Sequence, residues 1–301
     1  MAASNGAPLV VFDFDKTIVD CDSDNWVVDA LGATERFDEL LRQLPWNYAI
    51  DAMMGELHSQ GKTIEDIKAT LRTAPLSPHV VAAIKSAYAL GCELRILSDA
   101  NAFFIETILD HHGLAGYFSG IDTNPGYVDA AAGRLRIRPY HEFHAAAPGH
   151  GCDLPTCPPN MCKGKVMERI LKEEATMGER RRRAVVYLGD GRGDYCPSLK
   201  VGQGDYVMPR IGYPVCELLD AEDSPPVRGA VRGWDGFEDL GRVLLDIVEG
   251  EIARAVAETE DIASGGATST VAAVPVAECR GAMPPLHQEA LLRPKAIRVP
   301  N

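Results

Sequence analysis

Leu9-Val10-Val11-Phe12-Asp13-Phe14-Asp15-Lys16-Thr17 is the stretch on which the fold turns. Four apolar residues ended abruptly by acids read as a buried strand of a parallel sheet that stops at a site. The pattern recurs. A second strand at 92–97 runs into Ser98-Asp99-Ala100-Asn101, and a third at 184–188 runs into Gly189-Asp190-Gly191-Arg192-Gly193-Asp194. Helical segments lie between them. Strands alternating with helices predict an α/β fold with a parallel sheet wrapped by helices. Ligands of such sheets sit beyond the carboxyl ends of the strands, and all three polar clusters fall on that edge.

Outward from these strands the chain is mostly helical. Residues 24 to about 72 carry a helical pattern; Gly61 ends one helix, and Thr63 with Asp66 three residues on caps the next. Ser77 and Pro78 open another helix, with Val80, Val81, Ile84, Ala87 and Tyr88 on its buried face and Gly91 closing it. A helix follows Asn101 to about His112. Leu135 and Ile137 alternate with Arg134, Arg136 and Arg138 as a half-exposed strand. Residues 163 to about 174 are helical, Val207 and Met208 lie in a last short strand, and 237–252 form an amphipathic helix. From about Ser264 the chain is rich in Gly, Ala, Pro, Ser and Thr without a period, and reads as a flexible tail.

The clusters carry a coherent chemistry. A carboxylate at a strand end, Asp13, can attack phosphorus. Asp15, two residues on, can protonate a leaving oxygen and later activate water, and Thr17 can bond the loop or a phosphate oxygen. The Ser98 hydroxyl can donate to a phosphoryl oxygen. Lys163, with Lys165 as its rival, can neutralise charge on a transferring phosphoryl group. Asp190 and Asp194 on a Gly-rich strand end suit a hard cation such as Mg2+, which would bridge Asp13, Asp190 and phosphate. Asp24 and Asp99 lie beside a site that must receive an anion. They either cap the helices that follow them or hold the cationic end of a phosphoester.

In this order, the four motifs resemble the haloacid dehalogenase superfamily of phosphohydrolases, over residues 9 to about 215. The resemblance implies Asp13 as nucleophile, Asp15 as general acid/base, Ser98 and Lys163 as phosphoryl clamps, and Asp190 as metal ligand supported by Asp194. It adds the backbone carbonyl of Asp15 to the metal. It divides the chain into a discontinuous Rossmannoid core (1–23 and 76–255), a small helical cap (24–75) and a tail (264–301). Asp15-Lys16-Thr17 also resembles the phosphorylation motif of ion-pumping ATPases, but Ile18-Val19 follows instead of Gly-Thr, and Asp13 is the acid that directly follows the strand. Residues 11–20, 23–25, 75–78, 96–101, 159–163, 189–197 and 210–214 are similar to the phosphoethanolamine/phosphocholine phosphatase group, which includes a plant phosphate-starvation branch. Gly193 departs from it, since many relatives carry Asn there. The resemblance implies phosphoethanolamine or phosphocholine as substrate, with head-group acids at Asp24 and Asp99. Inorganic pyrophosphatase and thiamine monophosphate phosphatase activities are alternatives within the same branch.

Composition narrows the partners. The chain has 301 residues, 46% hydrophobic and 24% charged, as for a soluble globular protein with one sizeable core and a smaller accessory domain. A net charge of −13 argues against nucleic acid and anionic membranes as partners, and for a small phosphorylated metabolite. The basic run at 180–183 reads as a solvated face. Residues 1–8 are short and polar and no apolar run reaches about 18 residues, so the expected location is the cytoplasm. Eight cysteines form no dense framework. Cys152, Cys157 and Cys162 are separated by four residues each, with His144 and His150 upstream; structural zinc sites favour closer pairs, so the expectation is a loop of reduced thiols. His141-Glu142-Phe143-His144 lacks the zinc-protease spacing. Trp26, Trp46 and Tyr48 read as core of the helical segment, one of them possible in a substrate pocket. Phosphoryl transfer to an acceptor other than water and a phosphate-responsive binding protein are the other classes of function.

Overall fold

The computed structural model describes residues 6–143, 149–176 and 182–264. His144, Arg180, Arg181 and most of the segment read as a tail lie outside the described residues. In chain order the elements are β1 (Leu9–Phe12), α1 (Ser23–Ala30), α2 (Thr34–Leu41), α3 (Trp46–Ser59), α4 (Ile64–Leu71), α5 (Pro78–Ala89), β2 (Glu93–Asn101) and α6 (Ala102–His111). Then come β3 (Phe118–Asn124), β4 (Gly126–Asp129), β5 (Arg134–Ile137), α7 (Lys163–Thr176), β6 (Val185–Gly189), α8 (Tyr195–Ser198), β7 (Tyr206–Pro209), α9 (Pro214–Leu219), β8 (Ala230–Val231) and α10 (Phe237–Ser264).

Six strands form one sheet in the order β3-β2-β1-β6-β7-β8, every pairing parallel. The chain moves outward from β1 to β3, then returns to place β6 on the other side of β1. That reversal opens a crevice at the carboxyl ends of β1 and β6, where ligands of doubly wound sheets bind. The register is matched there: Phe12 pairs with both Ile96 and Leu188. Asp13, Ser98 and Asp190 consequently emerge within a residue or two of one level.

All four β1 residues are fully buried, because both faces of the sheet are covered. Val10 and Phe12 point into a cluster with Ile84, Ile105, Val243 and Leu244 from α5, α6 and α10, and that cluster continues into Ile50, Met53 and Leu71 of α1–α4. Leu9 and Val11 point the other way, against Val166, Met167 and Ile170 of α7. The Thr63/Asp66 capping box and the Ser77-Pro78 start are present as expected.

One difference from the sequence reading has a plain cause, and the half-exposed strand expected at 134–138 is present. The last helix runs to Ser264 rather than ending at Ile252, since residues 253–263 include strong helix formers and no Gly or Pro; Glu251 also anchors it to the Tyr206 hydroxyl at 2.6 Å. The strand at 134–137 pairs not with the main sheet but with β4, as a separate antiparallel hairpin. Asp51 of α3 holds that hairpin: its Oδ1 accepts from Arg136 Nε and from the Ile137 N–H, both at 2.9 Å, and its Oδ2 accepts from Arg136 Nη2 at 3.2 Å. Asp51→Ala leaves a half-buried guanidinium and a backbone donor without their acceptor. We expect a loss of about 1–3 kcal/mol, read as a lower urea midpoint at unchanged slope.

Candidate active site

The site grows from the end of β1. Asp13 is 4% exposed, and its Oδ1 accepts the Phe14 N–H at 2.7 Å. Its Oδ2 meets the Lys163 ammonium, at the start of α7, at 2.9 Å. Lys163 is itself 1% exposed and reaches Asp194 Oδ1 at 2.8 Å. Burial opposes a charge there, but the attraction of Asp13 and Asp194 outweighs it and holds the Lys163 pKa well above its usual value. Asp194 is saturated: Oδ1 also accepts from the Tyr187 hydroxyl at 2.5 Å, and Oδ2 from the N–H groups of Asp190 at 2.9 Å and Gly191 at 2.8 Å. Gly189 is required beside it, since a Cβ there would lie 2.4 Å from Asp194 Cγ. Lys165 is turned away onto the His150 carbonyl, so Lys163 is the lysine that meets Asp13.

Asp15 sits on a tight turn. Lys16 beside it has φ +54°, a left-handed conformation unusual for a side-chain-bearing residue. The turn is held from outside: the Lys16 carbonyl accepts from Arg210 Nη1 at 2.6 Å, and Arg210 Nη2 reaches Asp20 at 3.0 Å. The Arg210 guanidinium lies over the rings of Tyr213, Trp234 and Phe237 at 4.3–5.1 Å. Asp15 Oδ2 accepts from Ser23 Oγ at 3.1 Å, while its Oδ1 is buried without a protein partner, as is Thr17 Oγ1. Ser98 is fully buried, its Oγ accepting from the Ala100 N–H at 3.3 Å. Asp13, Asp190 and Asp194 have carboxylate oxygens within 4.8 Å of one another. The donor set is oxygen only, it is buried, and it carries more negative charge than Lys163 balances; an orphaned Asp15 oxygen lies in the same turn. Such residues fit a hard divalent cation.

A cavity of about 350 Å³ adjoins this edge, lined by Asp15, Asp22, Asp24, Asp99, Trp46 and Phe143 among others. Neither of the two candidate head-group acids serves as a helix cap. Asp22 caps α1 by accepting the Asn25 N–H, and Asn101 caps α6 by accepting the Phe104 N–H. Asp24 instead accepts from Trp46 Nε1 at 2.6 Å and faces Asn101 Nδ2 at 3.4 Å. Asp99 keeps a half-exposed side chain, 3.7 Å from Lys163 Nζ. A Cβ at Gly193 would stand 3.7 Å from Pro158 and 3.9 Å from Asp99, so glycine leaves open a space that a longer side chain would enter. Trp46, expected in the core with a place in a substrate pocket as the alternative, is 40% exposed and lines the cavity. Asp22, Tyr187 and Arg210 escaped the sequence reading. Asp22 stood in plain view in the acid run 20–24; Arg210 lay in the stretch 210–214 that carries the resemblance, but without a role assigned to it, and Tyr187 gave no local signal.

Among solved structures, the chain is similar to a HAD-family hydrolase from Salmonella enterica serovar Typhi, with a TM-score of 0.53 and 18% identity over 81% of this chain and 72% of that one. This likeness is one of fold, and with the sheet order above it makes the molecule an α/β protein of the haloacid dehalogenase type. Residues 8–248 match the family described as Putative Phosphatase. The chain belongs to that family, and it is a phosphatase. It is 54% identical to Inorganic pyrophosphatase 1 of Arabidopsis thaliana, over 79% of this chain and 78% of the relative. It is 47% identical to the Arabidopsis Thiamine phosphate phosphatase-like protein, over 80% and 95%. It is 35% identical to the human Phosphoethanolamine/phosphocholine phosphatase, over 82% and 92%. Among the described residues, no helix is long and apolar enough to cross a membrane.

The crowding of acids has a pH signature. Burial first, then Asp22, pushes Asp24 up to about 7; burial first, then Asp194, does the same to Asp190. In the unfolded chain both ionise near about 3.9. Between these values the folded chain binds more protons than the unfolded one, so stability falls as pH rises from about 4 through about 7. In chelator, the thermal midpoint should drop across that window, and Asp24→Asn should flatten the drop. Differential scanning fluorimetry at graded pH checks it.

Proposed function

We propose that the protein is a Mg2+-dependent phosphohydrolase that works through an aspartyl-phosphate on Asp13 and acts on a small phosphorylated metabolite whose leaving group carries a positive charge. The observation that carries the catalytic half is the buried contact between Asp13 and Lys163 at a strand end, with Asp15 beside it. Asp13 attacks phosphorus in line with the departing oxygen. Lys163 and Ser98 hold the phosphoryl oxygens, and Asp194 keeps the Lys163 ammonium aimed at them. Burial, followed by the charges of Asp22, Asp24 and Asp13, raises the Asp15 pKa well above its usual value. Asp15 therefore carries a proton to give to the leaving group, and afterwards takes one from the water that hydrolyses the intermediate. Asp13, Asp190 and the Asp15 carbonyl would hold Mg2+, with Asp194 fixing the Asp190 loop. The bound ion supplies the positive charge that lets an anionic phosphate approach Asp13. We retain the division into core, helical cap at 24–75 and tail as part of this reading.

The substrate half rests on the cavity. Its lining includes Asp22, Asp24 and Asp99 together with Trp46 and Phe143, an acidic and aromatic surface that favours an organic cation. Phosphocholine, phosphoethanolamine and thiamine monophosphate all have one. Inorganic pyrophosphate is the second reading, favoured by the name of the 54% identical relative; its leaving group is an anion that these acids would repel unless a cation came with it.

Asp13→Asn should lower kcat by about 10³-fold or more in a protein that still folds, and a phosphoryl group trapped on the wild-type chain by acid quench should map to Asp13. Label found on another residue, or near-normal turnover in the variant, would contradict the mechanism. Asp24→Asn with Asp99→Asn should lower kcat/KM for phosphocholine by about 5- to 100-fold, with a much smaller effect on a neutral aryl phosphate. A wild-type kcat/KM for pyrophosphate well above that for every cationic ester would favour the second reading. Saturating Mg2+ should raise the thermal midpoint by about 5–10 °C, and Asp190→Asn should remove most of that gain.

A further inference from the structure

The fold brings together four cysteines that stand apart in the sequence. Cys152, Cys157 and Cys162 lie on the chain leading into α7, and Cys196 lies in α8, just beyond the Asp190 loop. Cys196 Sγ is 3.9 Å from Cys152 Sγ and 3.8 Å from Cys162 Sγ, and Cys157 also reaches it. The sulfurs of Cys152, Cys157 and Cys162 and a His150 ring nitrogen lie within 4.8 Å of one another. All four thiols are free. A tetrahedral ion with Zn–S bonds of about 2.3 Å needs sulfurs about 3.8 Å apart. The spacing around Cys196 therefore matches a metal-centred group of sulfurs.

The surroundings bring backbone donors to two of these sulfurs. The Lys165 N–H donates to Cys162 Sγ at 3.4 Å, and the Gly164 N–H donates to Cys196. Gly164 is needed for the approach, because a Cβ there would stand 2.4 Å from Cys196 Sγ. The Lys200 ammonium, paired with Glu168 at 2.7 Å, also lies within electrostatic reach of Cys196 and Cys152. His150 has other work. Its Nδ1 accepts the Cys152 N–H at 3.1 Å, so its Nε2 carries the hydrogen and donates to the Pro158 carbonyl at 2.8 Å. Both ring nitrogens are thus engaged in shaping the loop.

We propose that Cys152, Cys157, Cys162 and Cys196 form a closed, four-sulfur site for a structural Zn2+, separate from the oxygen-lined carboxylate site. Soft thiolates select zinc over magnesium, as carboxylates do the reverse. Binding displaces the thiol protons to solvent, and with four protein ligands no position is left open for catalysis. The ion would staple the segment that carries Pro158, Asn160 and Lys163 to the loop that carries Asp194. The four-residue spacing that argues against zinc in the sequence considers three cysteines alone; the fourth ligand comes from α8, 34 residues beyond Cys162.

The test is metal analysis of the untagged full chain purified in Mg2+ buffer. We expect about one zinc per chain after dialysis, and, on exchange with Co2+, strong sulfur-to-cobalt charge-transfer absorption with tetrahedral d–d bands. Zinc should fall at least about tenfold in a Cys152→Ser/Cys157→Ser double variant, and should stay near stoichiometric in His150→Ala and in Asp190→Ala. Less than about a tenth of a zinc per wild-type chain, with no cobalt charge transfer, overturns the proposal. So does zinc that is lost in Asp190→Ala but kept without the two cysteines, or peptide mapping of the native protein that finds these cysteines joined as disulfides. The wild-type measurements decide the matter even if the cysteine variants fail to fold.

Discussion

A lysine ammonium buried among carboxylates is the constraint on which the rest of the structure depends. An isolated ammonium or carboxylate loses several kcal/mol of hydration on burial, so Lys163, Asp13 and Asp194 are tolerable inside the protein only together. Their contacts at 2.8–2.9 Å tie the end of β1, the start of α7 and the loop after β6 into one geometry. Tyr187, Gly189 and the amides of Asp190 and Gly191 then complete the shell of Asp194. The arrangement is deliberately unbalanced in charge, since Asp13, Asp190 and Asp194 outnumber the one lysine. That excess must be met by protons or by a cation; for Asp15, burial first and then Asp22, Asp24 and Asp13 raise the pKa above its usual value.

Acids and aromatic rings share the cavity beside the sheet edge. Asp13, Ser98 and Lys163 lie at that edge, with Asp99 3.7 Å from the Lys163 ammonium. Asp22, Asp24, Trp46 and Phe143 line the same cavity. On the reading proposed above, such a lining would orient a substrate that is negative at one end and positive at the other. Asp24, bonded to the Trp46 indole and close to Asn101, is a fixed part of that lining rather than a helix cap.

Much of this was legible in the sequence because the informative residues directly follow apolar strands. Asp13, Ser98 and Asp190 needed only the strand ends to be located, and the parallel register then brought them to one level. Lys163 was legible more weakly, through its place in Met161-Cys162-Lys163-Gly164-Lys165, where only the fold separates it from Lys165. What was hidden depends on tertiary approach. Arg210 works through contacts with a turn near the opposite end of the chain, and Tyr187 faces inward from a strand where any large apolar residue would have given the same pattern. The β4–β5 hairpin was half-seen, because its arginines look like a solvated face until Asp51 is placed against them.

The Arg210 strut joins positions 194 residues apart in the chain and rests on rings as distant as Phe237. At about 5–20 residues per second, a ribosome needs roughly 10–40 s to make that span. During this interval the turn at Asp15 and Lys16 exists without its clamp, so the nascent chain carries the acids that follow β1 but not the contact that shapes them. The same delay leaves β1 with β2 at one side and nothing at the other, until β6 is made. An all-apolar strand with an open edge invites pairing with other chains. The topology that builds the crevice thus sets a period of vulnerability during biosynthesis, in which shielding by chaperones is most needed.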